Sequence, residues 1–185
     1  AYQSLYSAQP TWQFHDKTQL VLFGEVVPFR NLLPAGIRLP QGDLTPGTKI
    51  EPMLVRNLKV GPSLCFEALF PHVSAQMASG GARVLTVHSI DDWYLGTAAP
   101  EHLQLAAQFR AVEAGLPLVR SASMGRSLII DAYGQVRTGM DYGKRGVVSM
   151  IMPVPQKSGA SPIQPYVPGL AGLFLVVGLF ARRKT

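Results

Sequence analysis

One cysteine, Cys65, stands in 185 residues, so no disulfide can form within the chain. Charge is scarce as well. Charged residues make up 15% of the chain against 47% hydrophobic, an apolar-leaning balance for a soluble domain. Acidic side chains number 11 against 17 lysines and arginines, a formal net charge of +6. Three of those charges are Arg182, Arg183 and Lys184 at the very end, and the remaining excess is small and scattered. A nucleic-acid footprint groups its basic residues on one face, so no nucleic-acid partner is expected. Ala1–Lys17 has no basic start followed by an apolar run, and no secretory signal is read there. No internal repeat is present.

The length suffices for one domain with a sizeable core. The run Leu20-Val21-Leu22-Phe23, followed by Gly24-Glu25, predicts a strand end opening into a loop. Five prolines between Pro28 and Pro52, with Gly36, Gly42 and Gly47 among them, predict a long loop. Leu58–Leu64 reads as a buried strand that runs into a turn at Cys65. Leu69, Phe70, Val73 and Met77 give Ala68–Ser79 a helical pattern, ended by Gly80-Gly81. Arg83–Val87 predicts a strand, and Asp91–Gly96 a loop. Pro100–Ala114 is the clearest helix, with Leu103, Ala106, Ala107, Arg110 and Ala114 at helical spacing and Gly115 after them. Strands are predicted at Leu116–Ala122, Ser127–Asp131 and Val147–Val154, with Asp131-Ala132-Tyr133-Gly134 as a hairpin turn. The order β-α-β-α-β-β-β indicates a mixed α/β layered domain.

The end differs in kind. Lys157–Pro168 is rich in Ser, Gly and Pro and reads as a linker. Val167–Ala181 carries no charge and is followed at once by the basic cluster. With Ile163–Tyr166 as an interfacial approach, it is adequate for a bilayer that wants about 20 apolar residues. The positive-inside rule then puts the tail in the cytoplasm and residues 1–160 on the outer side of the membrane.

Cys65 is the strongest nucleophile in the sequence. It follows an apolar strand and precedes a helical pattern, where unpaired N–H groups and a positive dipole end favour a thiolate and can hold an oxyanion. Glu67 lies two residues on. Lys17 and Glu25 bracket the Leu20–Phe23 run. A cysteine, a lysine and a carboxylate together can perform acyl transfer: the lysine stabilises charge at the carbonyl oxygen, and the carboxylate shuttles the proton.

These segments carry a resemblance. Lys17-Thr18-Gln19-Leu20-Val21-Leu22-Phe23-Gly24-Glu25-Val26-Val27-Pro28 resembles the Lys-x-x-Leu-Val-Pro-Phe-Gly-Glu-x-Val-Pro segment of apolipoprotein N-acyltransferases, members of the carbon–nitrogen hydrolase (nitrilase) superfamily. Leu64-Cys65-Phe66-Glu67 is similar to their Ile-Cys-Tyr-Glu nucleophile motif. Asp91-Asp92-Trp93-Tyr94 is similar to the Asn-Asp-Ala-Trp-Phe loop, with Ile90 in place of the Asn before the Asp. Glu101-His102 through Arg110-Ala111-Val112-Glu113 resembles the Gln-His-x-x-Met-Ala-x-x-Arg-Ala-x-Glu helix. Leu118-Val119-Arg120-Ser121 and Asp131-Ala132-Tyr133-Gly134 continue the match, and Ser123-Met124 departs from a Thr/Asn-rich pair.

The resemblance implies the C-terminal part of a nitrilase-like α-β-β-α sandwich over residues 1–156, a linker over 157–165, and a transmembrane helix with a basic tail over 166–185. It implies Cys65 as the thioester-forming nucleophile and Lys17 as the catalytic lysine. Glu67 and Glu25 are carboxylates around the site, Phe66 lends its N–H to an oxyanion, and Trp93 is an aromatic beside the site. No metal or cofactor is expected. The implied partners are a phospholipid acyl donor, an apolipoprotein acceptor and the membrane. The implied location is a bacterial inner membrane, with the catalytic domain periplasmic. The superfamily uses a Glu upstream of the lysine as general base, and residues 1–16 contain none, so this chain alone is expected to be inactive. The local departures also fit nitrilase-like proteins of conjugative-transfer regions, and a truncated, non-catalytic membrane-tethered module is the remaining alternative.

Overall fold

The computed structural model describes residues 1–8, 11–29, 32 and 43–157. The expected linker beyond Lys157, the transmembrane helix and the basic tail lie outside them. Among the described residues, no helix is long and apolar enough to cross a membrane.

The chain opens with a two-stranded antiparallel ribbon, β1 (Ser4–Ser7) and β2 (Gln13–Asp16). A second sheet has six strands in the order β3 (Met53–Val55), β4 (Leu58–Leu64), β5 (Val84–Ile90), β6 (Leu118–Ser123), β7 (Ser127–Ile130) and β8 (Val136–Met140). Strands β4, β5 and β6 are parallel, and the outer pairings are antiparallel. The parallel pairs require crossovers, and helices α1 (Pro71–Ser79) and α2 (Ala99–Ala114) supply them.

Both helices cover one face of this sheet. Leu85 and Val87 of β5, Leu118 of β6, and Leu128 and Ile130 of β7 pack with Met77 and Ala78 of α1 and Ala107, Ala111 and Ala114 of α2. The small residues of α2 let it lie close to the sheet. Gly61 does the same for α1, since a Cβ there would sit 2.7 Å from that of Met77. Pro71 suits the first turn of α1, where its missing N–H costs nothing. Gly115 ends α2 with φ +61°.

The elements around β4, β5, α2, β6 and β7 match the sequence expectations. Three expectations need correction. Leu20–Phe23 is not a strand: the N–H groups of Gly24, Glu25 and Val26 all point back to the Val21 carbonyl, forming a tight turn. Val147–Val154 forms no strand. It runs as irregular chain, and its end is pinned where the Arg83 guanidinium donates to the carbonyls of Val154 and Pro155. The last strand is instead β8, Val136–Met140. Helix α1 begins at Pro71 rather than Ala68, because Cys65–Leu69 is taken up by a 3-10 turn.

Candidate active site

The carboxyl ends of parallel strands open a crevice where ligands of α/β sheets bind, and Cys65 stands at the end of β4. Its φ is +52°, in the left-handed region, which costs a residue with a Cβ about 1–3 kcal/mol. This is the sharp turn the sequence predicts. The dipole argument for Cys65 weakens, however, since α1 starts only at Pro71 and a short 3-10 turn intervenes.

Glu67 holds the turn in its strained shape. It is fully buried, and its Oε2 accepts from the Leu64 N–H at 2.8 Å, folding the chain back over Cys65. Its Oε1 accepts from the Thr18 N–H at 2.6 Å and the Thr18 hydroxyl at 2.8 Å. Gln19 N–H adds a longer bond at 3.3 Å. His15 Nε2 lies 3.1 Å from Oε2. Burial pushes the Glu67 carboxyl upward, but the bonds from His15, Leu64 and Thr18 outweigh it and hold the carboxyl below its usual range. A carboxylate only accepts, so His15 carries its proton on Nε2.

Strand periodicity delivers the next group. Phe14 is exposed while His15 and Lys17 are buried, the alternation a strand imposes on successive side chains. Lys17 is 1% exposed and its Nζ donates to Glu25 Oε1 at 2.6 Å. Glu25 is itself fixed, because its Oε2 accepts from the Val21 N–H at 2.8 Å. Glu67 therefore ties the backbone of Thr18, next to Lys17, to the turn that carries Cys65. Trp93 is exposed and lies over the separate turn of residues 21–26: a Cβ on Gly24 would come within 3.1 Å of its ring. Tyr94 is the next residue. Burial pushes its phenol upward, and the nearby charges of Cys65, Glu25 and Asp91 push it further. The Phe66 ring packs edge-on against Phe70, with centroids 5.3 Å apart.

The structure thus brings Lys17 and Glu25 into contact, bonds Glu67 to Thr18 next to Lys17, and sets Trp93 against Gly24 next to Glu25. Sequence reasoning missed His15, whose signal was its two-residue spacing from Lys17. It also missed a buried ion pair. Arg120 Nη2 donates to both oxygens of Asp91, at 3.0 and 2.7 Å, with both side chains fully buried. No cluster of His, Cys, Asp and Glu suited to a metal occurs among the described residues.

The carbon-nitrogen hydrolase family profile matches residues 8–154, most of the chain. The chain belongs to the carbon–nitrogen hydrolase family. Within this family it is 37% identical over 138 residues to an apolipoprotein N-acyltransferase of Rhizobium rhizogenes, covering 72% of this chain and 26% of that protein. It is 32% identical over 177 residues to the apolipoprotein N-acyltransferase of Pseudomonas aeruginosa, covering 90% of this chain and 34% of the relative. This carbon–nitrogen hydrolase chain therefore spans about a quarter to a third of the length of those relatives.

Solved structures agree on the fold. A carbon–nitrogen hydrolase from Helicobacter pylori G27 matches with a TM-score of 0.56 at 16% identity, over 77% of this chain and 58% of that one. Saccharomyces cerevisiae Nit3, of the nitrilase superfamily, matches at 0.55 and 20% identity, over 72% and 45% of the two chains. At such identities the likeness speaks for the nitrilase-like fold alone.

Proposed function

We propose that this domain belongs to an enzyme that transfers an acyl group through a thioester on Cys65, with phospholipid as donor and the amino terminus of an apolipoprotein as acceptor. The observation that carries the reading is a single carboxylate, Glu67, bonded both to the strained cysteine turn and to Thr18, the residue after Lys17 of the buried Lys17–Glu25 pair. Buried charges are costly unless they serve one another or a reaction, and this pair adjoins the segment that Glu67 ties to the cysteine turn.

In this reading the Cys65 thiolate attacks the ester carbonyl of the donor. Lys17 stabilises the negative charge that develops on the carbonyl oxygen, with the Phe66 N–H as a second donor. The lysophospholipid leaves with a proton, and the acceptor amine then attacks the thioester and releases the thiolate. Glu25 holds Lys17 in place through the 2.6 Å bond. The proton is moved by a glutamate upstream of Lys17; residues 1–16 contain no Glu, and Asp16 is adjacent to Lys17 and wrongly placed. The exposed side chains of Leu22, Phe23, Trp93 and Leu95, on the turns beside these groups, favour a lipid donor over a soluble one. Residues 166–185 would hold the domain at an inner membrane, with the catalytic part on the periplasmic side and the tail in the cytoplasm.

The test is acyl transfer from phospholipid to a lipopeptide, by this chain and by one extended upstream to include a Glu. A positioned general base contributes about 10²–10⁴-fold, so the short chain is expected to show no turnover and the extended chain to show turnover that Cys65→Ala abolishes. Turnover by the short chain would show that the base has been misassigned. Failure of both would favour a non-catalytic module.

A further inference from the structure

The Asp91–Arg120 pair takes no part in the chemistry above, yet it is built with care. Asp91 follows β5 and opens the 3-10 turn Asp91–Tyr94 that carries Trp93. Arg120 lies on β6, paired with Val87 of β5. Besides Arg120, the Asp91 carboxylate accepts from the Ser89 hydroxyl at 2.6 Å. Arg120 Nη1 donates to the carbonyl of Arg126 at 2.7 Å. Gly125 presses against the carboxylate so closely that a Cβ would stand 1.8 Å from Asp91 Oδ2. Beside it, Met124 holds φ +55°, and the Ser123 hydroxyl bonds Asp92. Two turns at the carboxyl ends of β5 and β6 are thus locked to each other through one buried charge pair.

A buried ion pair is weak evidence for stability, since apolar residues of the same size commonly do as well. What it supplies is one fixed geometry. That geometry sets the Trp93 ring against Gly24, the residue before the Glu25 that accepts from Lys17. We propose that Asp91 and Arg120 are positioning residues that seat the Trp93 turn as the apolar rim of the Cys65 site, where it selects long acyl chains over short ones. The proposal rests on the lipid-donor reading above.

Alkylation separates the two ideas, because it requires no general base and no turnover. Iodoacetamide and N-dodecyl iodoacetamide react alike with the Cys65 thiolate: a sulfur–carbon bond forms and iodide leaves. On this chain, the dodecyl reagent is expected to react faster than the small one by about tenfold, the discrimination an apolar contact gives. Asp91→Asn is expected to reduce that ratio to near one while leaving the iodoacetamide rate close to wild type, and Asp91→Glu to restore part of it. Ser89→Ala removes one bond to the carboxylate, spares the pair, and covers the case in which Asp91→Asn does not fold; it is expected to lower the ratio by about threefold. A wild-type ratio near one would overturn the lipid reading together with this one. A preference that survives in Asp91→Asn or, where that variant is unfolded, in Ser89→Ala would overturn the positioning role alone. An equal fall in both rates in the folded variant would overturn it too, since that marks a purely structural pair.

Discussion

Replacing Glu67 with glutamine changes a few atoms and should cost the protein much of its margin. The glutamate offers two acceptor oxygens, one to Thr18 and Gln19 and the other to Leu64 and His15. Glutamine offers one oxygen and an NH₂ group. If its oxygen keeps the Thr18 side, the NH₂ faces the Leu64 N–H, and two donors meet. His15 can adapt by moving its proton to the other ring nitrogen, but a backbone N–H cannot. An orphaned buried donor costs about 1–3 kcal/mol, and hydrogen bonds to a charged acceptor are worth about 1.5–3 kcal/mol rather than about 1. A loss near 3 kcal/mol is therefore expected, against a typical total of about 5–15 kcal/mol. At about 2–4 °C per kcal/mol for a domain this size, Tm should fall by about 6–12 °C at pH 7.

The pH dependence has a definite sign. The folded carboxyl sits below the ordinary value of 4.5, so its stabilisation is fully present above 4.5 and is lost as pH falls through the folded value. Calorimetry of wild type and Glu67→Gln should thus show a gap that is widest at neutral pH and closes in acid. Equal Tm values at pH 7, or a gap that widens in acid, would refute the assignment of Glu67 as the clamp of the cysteine turn.

The remaining expectations concern other parts of the chain. Lys17→Met strands the buried Glu25 carboxylate, and breaking a buried pair costs about 3–5 kcal/mol; the double variant with Glu25→Gln should recover part of that loss in denaturant unfolding, and strict additivity would argue against the pair. A tagged chain should be recovered with the membrane fraction, and deleting residues 166–185 should release it. Recovery in the soluble fraction with or without the deletion would count against a membrane anchor there.

Local signals were legible in the sequence. The Asp131–Gly134 turn, α2 with its glycine end, and the buried strand β4 all declare themselves within a few residues, because turn chemistry and periodicity are short-range effects. Strand β8 hid because Val136-Arg137-Thr138-Gly139-Met140 is a short edge strand with apolar side chains only at its ends and a glycine inside it. A Cβ on Gly139 would meet the Leu128 side chain at 2.5 Å, a reason for the glycine that only the packed sheet reveals. Val147–Val154 misled in the opposite direction: its apolar residues promised a strand, yet Val147 and Ile151 stand exposed. At the site, Cys65, Lys17, Glu25 and Glu67 were nominated by motif and spacing. The contact of Lys17 with Glu25 was within reach, eight residues apart. The bonds from Glu67 to His15 and Thr18, and from Arg120 to Asp91, were not, since they span 52, 49 and 29 residues and no local pattern encodes them.

The strand order has a consequence for the order of events in folding. In the large sheet, each strand is bonded to its neighbour in the chain, from β3 to β8 without exception. Such pairings close modest loops and form early. The bonds that complete the site join residues 15–19 to residue 67, across the long Pro- and Gly-rich stretch, and closing that larger loop is entropically dearer. The sheet with its two helices can therefore consolidate first, leaving the Cys65 turn without its clamp until the β2 segment arrives. The Lys17–Thr18 segment then joins the Cys65 turn only at the end of the process. A half-folded chain carries Cys65 without its Glu67 clamp, so burial of the cysteine turn doubles as a clock for the final folding step.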